Sequence, residues 1–221
     1  MKNKKWLLLV ILILPSTIWL ILETSTINSR KLPIYGPRKF IAVNDTDYYE
    51  VNDQFYLTTN QDSSKPILTK FTTDEYPLYA IMFIKDSYKK SDLRLSGLWE
   101  YLNYKKQKIE HIPFILMTES ENGKSEIQED LTKLTEGNKN IFFRTWDKLS
   151  FDSLNKTYFL EKPYYIDYSF FVLVDVNRNV RGYYDGRYVA EIKRLTEEYQ
   201  HLRLKEEKNK LIKSNEIKSK P

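Results

Sequence analysis

Two serines, Ser87 and Ser91, stand four residues apart in KDSYKKSDL, directly after the apolar run PLYAIMFI at 77–84. In open α/β sheets ligands gather where strands end in turns, so this is where chemistry is first sought. A nucleophilic serine needs a nearby base and an oxyanion cradle, usually advertised by glycines. This turn contains no glycine. Starting a helix by side-chain hydrogen bonding is the simpler use of both serines.

The spacing Asp175-x-Asn177-x-Asn179 resembles the opening of a calcium loop. Such a loop needs glycine at its sixth position and an acidic residue at its twelfth, and Val180 and Gly186 stand there. A hairpin turn whose Asn residues tolerate a tight backbone fits better. Of the two histidines, His111 precedes Ile112-Pro113 and His201 falls in a charged helical stretch. Neither has a partner nearby at ligand spacing, which favours surface or capping roles over metal or acid–base work. Cysteine is absent, so disulfides, thiolate metal sites and thiol redox chemistry are excluded together. Asn44-Asp45-Thr46 and Asn155-Lys156-Thr157 fit the glycosylation acceptor pattern, which carries meaning only in a host that glycosylates.

These residues must be positioned by elements that alternate between strand and helix, the pattern of an α/β domain. QFYLTT (54–59) alternates like a strand and ends in the turn NQDSSKP. The run at 77–84 is apolar throughout, as a strand covered on both faces would be. A helix follows with Leu95, Leu98, Trp99 and Leu102 on one face, capped by Ser91 or Asp92. A strand at 112–118, a helix at 124–137 ended by glycine, a strand at 140–146 and a short helix at 147–160 come next. A long strand at 164–176 then turns at 177–179 into VRGYYDG, forming a hairpin. The final helix starts near Tyr188, with Ile192, Leu195, Tyr199 and Leu202 spaced for packing.

At 221 residues, with 41% hydrophobic and 14% aromatic content, the chain can bury a core in one domain with appendages. Its net charge of +5 sits at the ends. Lys2, Lys4 and Lys5 open the chain, and from Lys205 onward lysines outnumber acids. The body is close to neutral, so a basic face for nucleic acid is not expected. Residues 6–22, WLLLVILILPSTIWLIL, are uncharged and lie at the short edge of a membrane-spanning length. The preceding lysines place residues 1–5 in the cytoplasm and all that follows on the far side. The length of the run and the lack of a small-x-small cleavage pattern favour an uncleaved anchor over a cleaved signal peptide. Residues 23–40 read as a tether, 41–204 as the domain, and 205–221 as a charged helix extension fraying into disorder.

Three segments resemble the Sco/SenC family. LPIYG (32–36) looks like its tether end, and FYLTTNQD (55–62) is similar to its opening F-x-x-T-N-Q-D-G hairpin. FFVLVDVNRNVRGYYDGR (170–187) closely resembles its lVD-x-x-G-x-(I/V)-RGYYDG signature, here Asp175, Arg181, Gly182, Tyr183, Tyr184, Asp185 and Gly186. Between about 85 and 164 only the order of elements matches. The resemblance implies a thioredoxin-like central mixed β-sheet flanked by helices, with an N-terminal hairpin extension and one N-terminal transmembrane helix. It also implies membrane tethering on the outer, periplasmic side and an association with copper delivery and thiol reduction at cytochrome oxidase. Family members carry Cys-x-x-x-Cys after the central strand and a histidine in Asp-His-Ser. Those positions fall here on Ser87, Ser91 and Tyr168, the last within Asp167-Tyr168-Ser169.

Soft Cu(I) prefers thiolate, thioether and imidazole, whereas a serine hydroxyl is a hard, protonated, poor donor, and serine cannot exchange with a disulfide. The expectation is a scaffold without copper, cofactor, small-molecule substrate or thiol redox activity. Its partners would be the membrane and a protein, with respiratory oxidase subunits or assembly factors the candidates. Two rival readings stand beside this one. Ser87, Tyr168, Asp86 and Lys89 could support an enzyme with non-thiol chemistry, or the chain could be a structural scaffold component whose exposed tyrosines mark a partner face.

Overall fold

The run at 77–84 does form a strand with no exposed face. Strand β5, Tyr79–Ile84, is buried at all six positions. The structure, a computed structural model, describes residues 13–21, 32–42, 45–52, 56–58, 68–70, 76–85, 95–119, 127–163, 165 and 170–218. They divide into two compact units, 1–32 and 33–221. Of the first unit, residues 13–21 form helix α1. Among the described residues no helix is long and apolar enough to cross a membrane.

The second unit opens with two small antiparallel hairpins, β1 (Arg38–Ala42) with β2 (Asp45–Tyr48), and β3 (Tyr56–Thr58) with β4 (Leu68–Lys70). Its main sheet has five strands in the order β7-β6-β5-β8-β9. Strands β6 (Phe114–Glu119) and β7 (Ile141–Trp146) run parallel to β5, while β8 (Phe170–Val174) is antiparallel to it and to β9 (Val180–Asp185). Helices α2 (Ser96–Ile109), α3 (Gln128–Thr135), α4 (Lys148–Tyr158) and α5 (Val189–Lys218) complete the order. This is the mixed sheet with flanking helices that the resemblance implies.

Strand alternation divides the core. Tyr79, Ile81 and Phe83 join Ile115, Met117, Phe151 and Tyr158 in one apolar cluster, so α4 covers that face. Adjacent residues of β9 show the second layer. Tyr183 donates its hydroxyl to the Tyr158 carbonyl of α4 at 3.0 Å, and Tyr184 donates to Glu198 of α5 at 2.6 Å. Helix α4 therefore lies on one face and α5 on the other, with Ile192 and Leu195 of α5 fully buried.

Four boundaries differ from the sequence reading. The second unit starts at Pro33 and not at 41, because the Tyr35 N–H reaches the Val180 carbonyl at 2.9 Å and β1 already begins at Arg38. Helix α2 starts at Ser96 behind Leu95, with no side-chain cap, and is interrupted at Lys105 (φ −140°, ψ 32°). Ser91 and Asp92, the expected caps, lie outside the described residues. Strand β8 is shorter than 164–176, spanning Phe170–Val174. The charged tail stays helical to Lys218, as its Lys, Glu and Leu content favours, with Arg203 and Glu207 3.5 Å apart at i,i+4.

Candidate functional site

The three family ligand positions, Ser87, Ser91 and Tyr168, lie outside the described residues. The chain leading into them is described, and antiparallel pairing of Met82 with Phe171 sends Ile84–Lys85 and Phe170 to the same end of neighbouring strands. The signature segment, in contrast, is described throughout, and every one of its named residues is buried.

Asp175 opens it in the turn between β8 and β9. Its Oδ1 accepts the N–H groups of Asn177 at 2.9 Å and Asn179 at 3.0 Å, and its Oδ2 accepts from Arg181 Nη1 at 2.8 Å. Both carboxylate oxygens thereby accept hydrogen bonds from within the hairpin. The turn's left-handed residue is Arg178 (φ 62°), not an asparagine. Its guanidinium pairs with Glu50 and its carbonyl accepts the Val51 N–H at 2.9 Å, so contacts to the preceding segment hold a backbone shape that arginine rarely adopts. Arg181 also donates through Nε to the Pro33 carbonyl at 3.0 Å. One buried ion pair thus fixes the hairpin turn and the start of the unit.

Gly182 is required by its neighbour's ring. A Cβ there would lie 2.2 Å from the Tyr184 hydroxyl oxygen. That hydroxyl donates to Glu198, which is only 4% exposed, while the Arg194 guanidinium sits 4.3 Å from the Tyr184 ring centre and donates to the Tyr183 carbonyl at 2.8 Å. Burial drives the Tyr184 hydroxyl far above its ordinary pKa, with the Glu198 charge adding to it. Burial, reinforced by Glu161, does the same to Tyr183. At neutral pH both are fixed hydrogen-bond donors and neither is a nucleophile or base.

The segment's end positions two helices. Asp185 accepts from the Arg187 backbone N–H at 3.0 Å and from its guanidinium Nη2 at 2.5 Å. The Gly186 carbonyl accepts the Gly97 N–H at 2.9 Å, and Ser96 Oγ donates to the Arg187 carbonyl at 3.0 Å. The start of α2, the helix that follows the ligand turn, therefore rests on the turn between β9 and α5. Sequence reasoning missed Gly97, because its requirement arises from contact across about ninety residues of chain, which local spacing does not reveal.

These residues make a structural hub. Among the described residues no group of three His, Cys, Asp or Glu side chains could hold a metal ion. His111, read as a surface or capping residue, is half-buried at the end of α2, with its ring 5.8 Å from that of Tyr199.

A thioredoxin-like α/β protein is the class that this sheet order and its flanking helices define. Among solved structures, a SCO1/SenC family lipoprotein from Bacillus anthracis str. Ames matches with a TM-score of 0.50 and 17% identity, over 69% of this chain and 95% of that one. BsSco, a member of the Sco family of cytochrome c oxidase assembly proteins, matches at 0.45 and 20%, over 67% and 92%. A thiol:disulfide interchange protein from Bacteroides sp. matches at 0.42 and 11%, over 67% and 88%. The first likeness shows the fold, which is that of a Sco/SenC protein, as the signature segment implied. No protein-family model and no curated protein sequence matches the chain.

Proposed function

We propose that this chain is a membrane-anchored accessory protein with a Sco-like domain that binds a protein partner and neither carries copper nor exchanges thiols. The observation that carries the reading is a Sco/SenC-type fold in a chain with no cysteine at all. Thiol–disulfide exchange is chemically closed to it. Serine and tyrosine at the three family ligand positions supply no soft donor for Cu(I). The hub around Asp175, Arg181 and Gly186 supports the scaffold half of the reading, since its bonds shape the hairpin and the α2 start and use no ligand residue.

In this reading residues 6–22 anchor the chain, residues 1–5 stay in the cytoplasm, and the domain works on the periplasmic side. The partners would be respiratory oxidase subunits, their assembly factors or other envelope proteins. Titration of the full chain in detergent with Cu(I) and Cu(II) against competing chelators should give no tight stoichiometric binding. Tight one-to-one binding would overturn the reading. Affinity purification from membranes should co-purify a defined protein partner. Recovery of the chain alone, from cells that express an oxidase, would remove the respiratory assignment.

A further inference from the structure

Chain entry and the far reach of α5 lie at one end of the main sheet. Strands β5, β6 and β7 begin there, and pairing of Tyr79 with Val174 brings the close of β8, and its turn into β9, to the same end. Arg181 holds the Pro33 carbonyl at this end, and the Tyr35 N–H reaches Val180, the first residue of β9. Helix α5 starts at the opposite end, after β9. It runs back until the Tyr199 hydroxyl donates to the His111 carbonyl at 3.2 Å, just ahead of β6. The helix thus leaves the body where the chain enters it.

Past Leu202 the helix continues to Lys218, roughly 24 Å further. Its described side chains from Leu204 onward are exposed, apart from half-buried Glu206. Leu204, Leu211 and Ile212 are 43%, 65% and 47% exposed. At roughly 100° per residue they share an arc about 120° wide with Lys205, Lys208 and Asn215, and Glu206, Glu207 and Glu216 fall outside it. From Lys205 onward six lysines stand against three glutamates. The same end of the body adds Lys105, Lys106, Lys108 and Lys139 against Glu110 and Glu136, all exposed, while Arg178 and Glu50 cancel as a pair. Apolar side chains and excess positive charge therefore meet on the projecting helix.

We propose that α5 beyond Leu202 is a second membrane contact. It lies along an anionic phospholipid surface with Leu204, Leu211 and Ile212 at the edge of the acyl layer and Lys205 and Lys208 on headgroup phosphates. Apolar side chains flanked by lysines, whose aliphatic stems follow them down while the charge stays in water, suit an interfacial helix. A second copy fits this face poorly, since it would bring the same positive charge against itself. The contact rests on the membrane-anchored reading. With residues 6–22 in the bilayer, the chain from Leu22 to Pro33 spans at most roughly 40 Å, which keeps the end of the body that carries the α5 extension near the headgroups.

The chain has no cysteine, so Asn215→Cys places a single environment-sensitive fluorophore on the same arc, and Leu149→Cys on α4 serves as the control. The full chain is reconstituted into vesicles of phosphatidylcholine, alone or with about 30% phosphatidylglycerol to supply the negative surface. The Asn215 probe should shift to the blue only with phosphatidylglycerol, and the Leu149 probe should not respond. Salt near 1 M, where screening shortens to about 3 Å, should reverse the shift. Lys205→Gln combined with Lys208→Gln should lower the ratio of bound to free helix about 25-fold, fivefold for each lysine near the surface. An unshifted Asn215 probe, which would leave an acidic protein as the occupant, overturns the proposal. So does an equal shift in both vesicles, as contact between two copies would give, or a shift that survives the double substitution. The anchor is judged separately. High salt should not extract the chain from phosphatidylcholine vesicles, and extraction would remove the anchor with the phosphatidylglycerol shift still measurable.

Discussion

Gly97 carries a constraint out of proportion to its size. Its N–H bonds to Gly186, and a Cβ placed on it would lie 2.6 Å from the Tyr188 carbonyl carbon and 2.8 Å from the Gly186 oxygen, both backbone atoms that cannot swing aside. Gly97→Ala should therefore destabilise by about 1–3 kcal/mol. In a chain of this length that lowers Tm by about 2–4 °C per kcal/mol, and an unchanged melting curve would refute the contact. The tyrosines give a second test. Burial holds Tyr199 up to about 12, and the unfolded side chain ionises near 10. Above pH 10 the unfolded chain has released a proton that the native chain keeps. Stability is therefore fully present below pH 10 and falls as pH climbs from 10 to 12. Tyr183 and Tyr184 shift in the same direction. Tyrosinate absorbance should reach completion only as circular dichroism reports unfolding. Full ionisation near pH 10 with the fold intact would contradict it. At this scale the signature residues were legible as a segment, but their work was not. Nothing local in RGYYDG says that Arg181 grips Pro33 or that Tyr184 needs Glu198, since both partners are distant in sequence.

The elements themselves were far more legible, because periodicity is a local property. Apolar runs marked β5 and β6, and the spacing of Ile192, Leu195, Tyr199 and Leu202 marked the buried face of α5. Asp147 caps α4 by accepting the Ser150 N–H at 3.0 Å, in a stretch read as a short helix from its pattern. Helix α5 was misjudged only in its reach. Composition separates solvated from buried residues, and a solvated Lys- and Glu-rich segment can still be helical. Its buried side chains nonetheless end with Leu202, beyond which none of the described residues is buried. Deleting residues 206–221 should leave Tm within about 2 °C, as exposed positions contribute little. Leu195→Ala, removing a side chain with no exposure, should cost about 2–5 kcal/mol. Equal effects in calorimetry would mean that the extension packs on something.

For the whole molecule, the resemblance implied a mixed sheet, but the order β7-β6-β5-β8-β9 comes from the structure, since no periodicity says which strands become neighbours. The orientation proposed across the membrane is testable because the chain is free of cysteine. Leu149 is 84% exposed in α4, so Leu149→Cys supplies a single reactive handle with little cost to folding. In intact cells stripped of their outer envelope, a membrane-impermeant maleimide should label it without detergent, and labelling only after lysis would reverse the orientation. A domain tethered as proposed would also be a body under tension. The chain enters the second unit where Tyr35 bridges Val180 and sets its ring edge-on to Tyr183, and where Arg181 holds the Pro33 carbonyl. A pull on the N-terminus would load these contacts one after the other, as a zip opens, and not as a row of bonds sheared together. The entry segment would thus yield before the sheet and lengthen the leash, until the load reaches the buried Arg181–Asp175 pair and the sheet behind it.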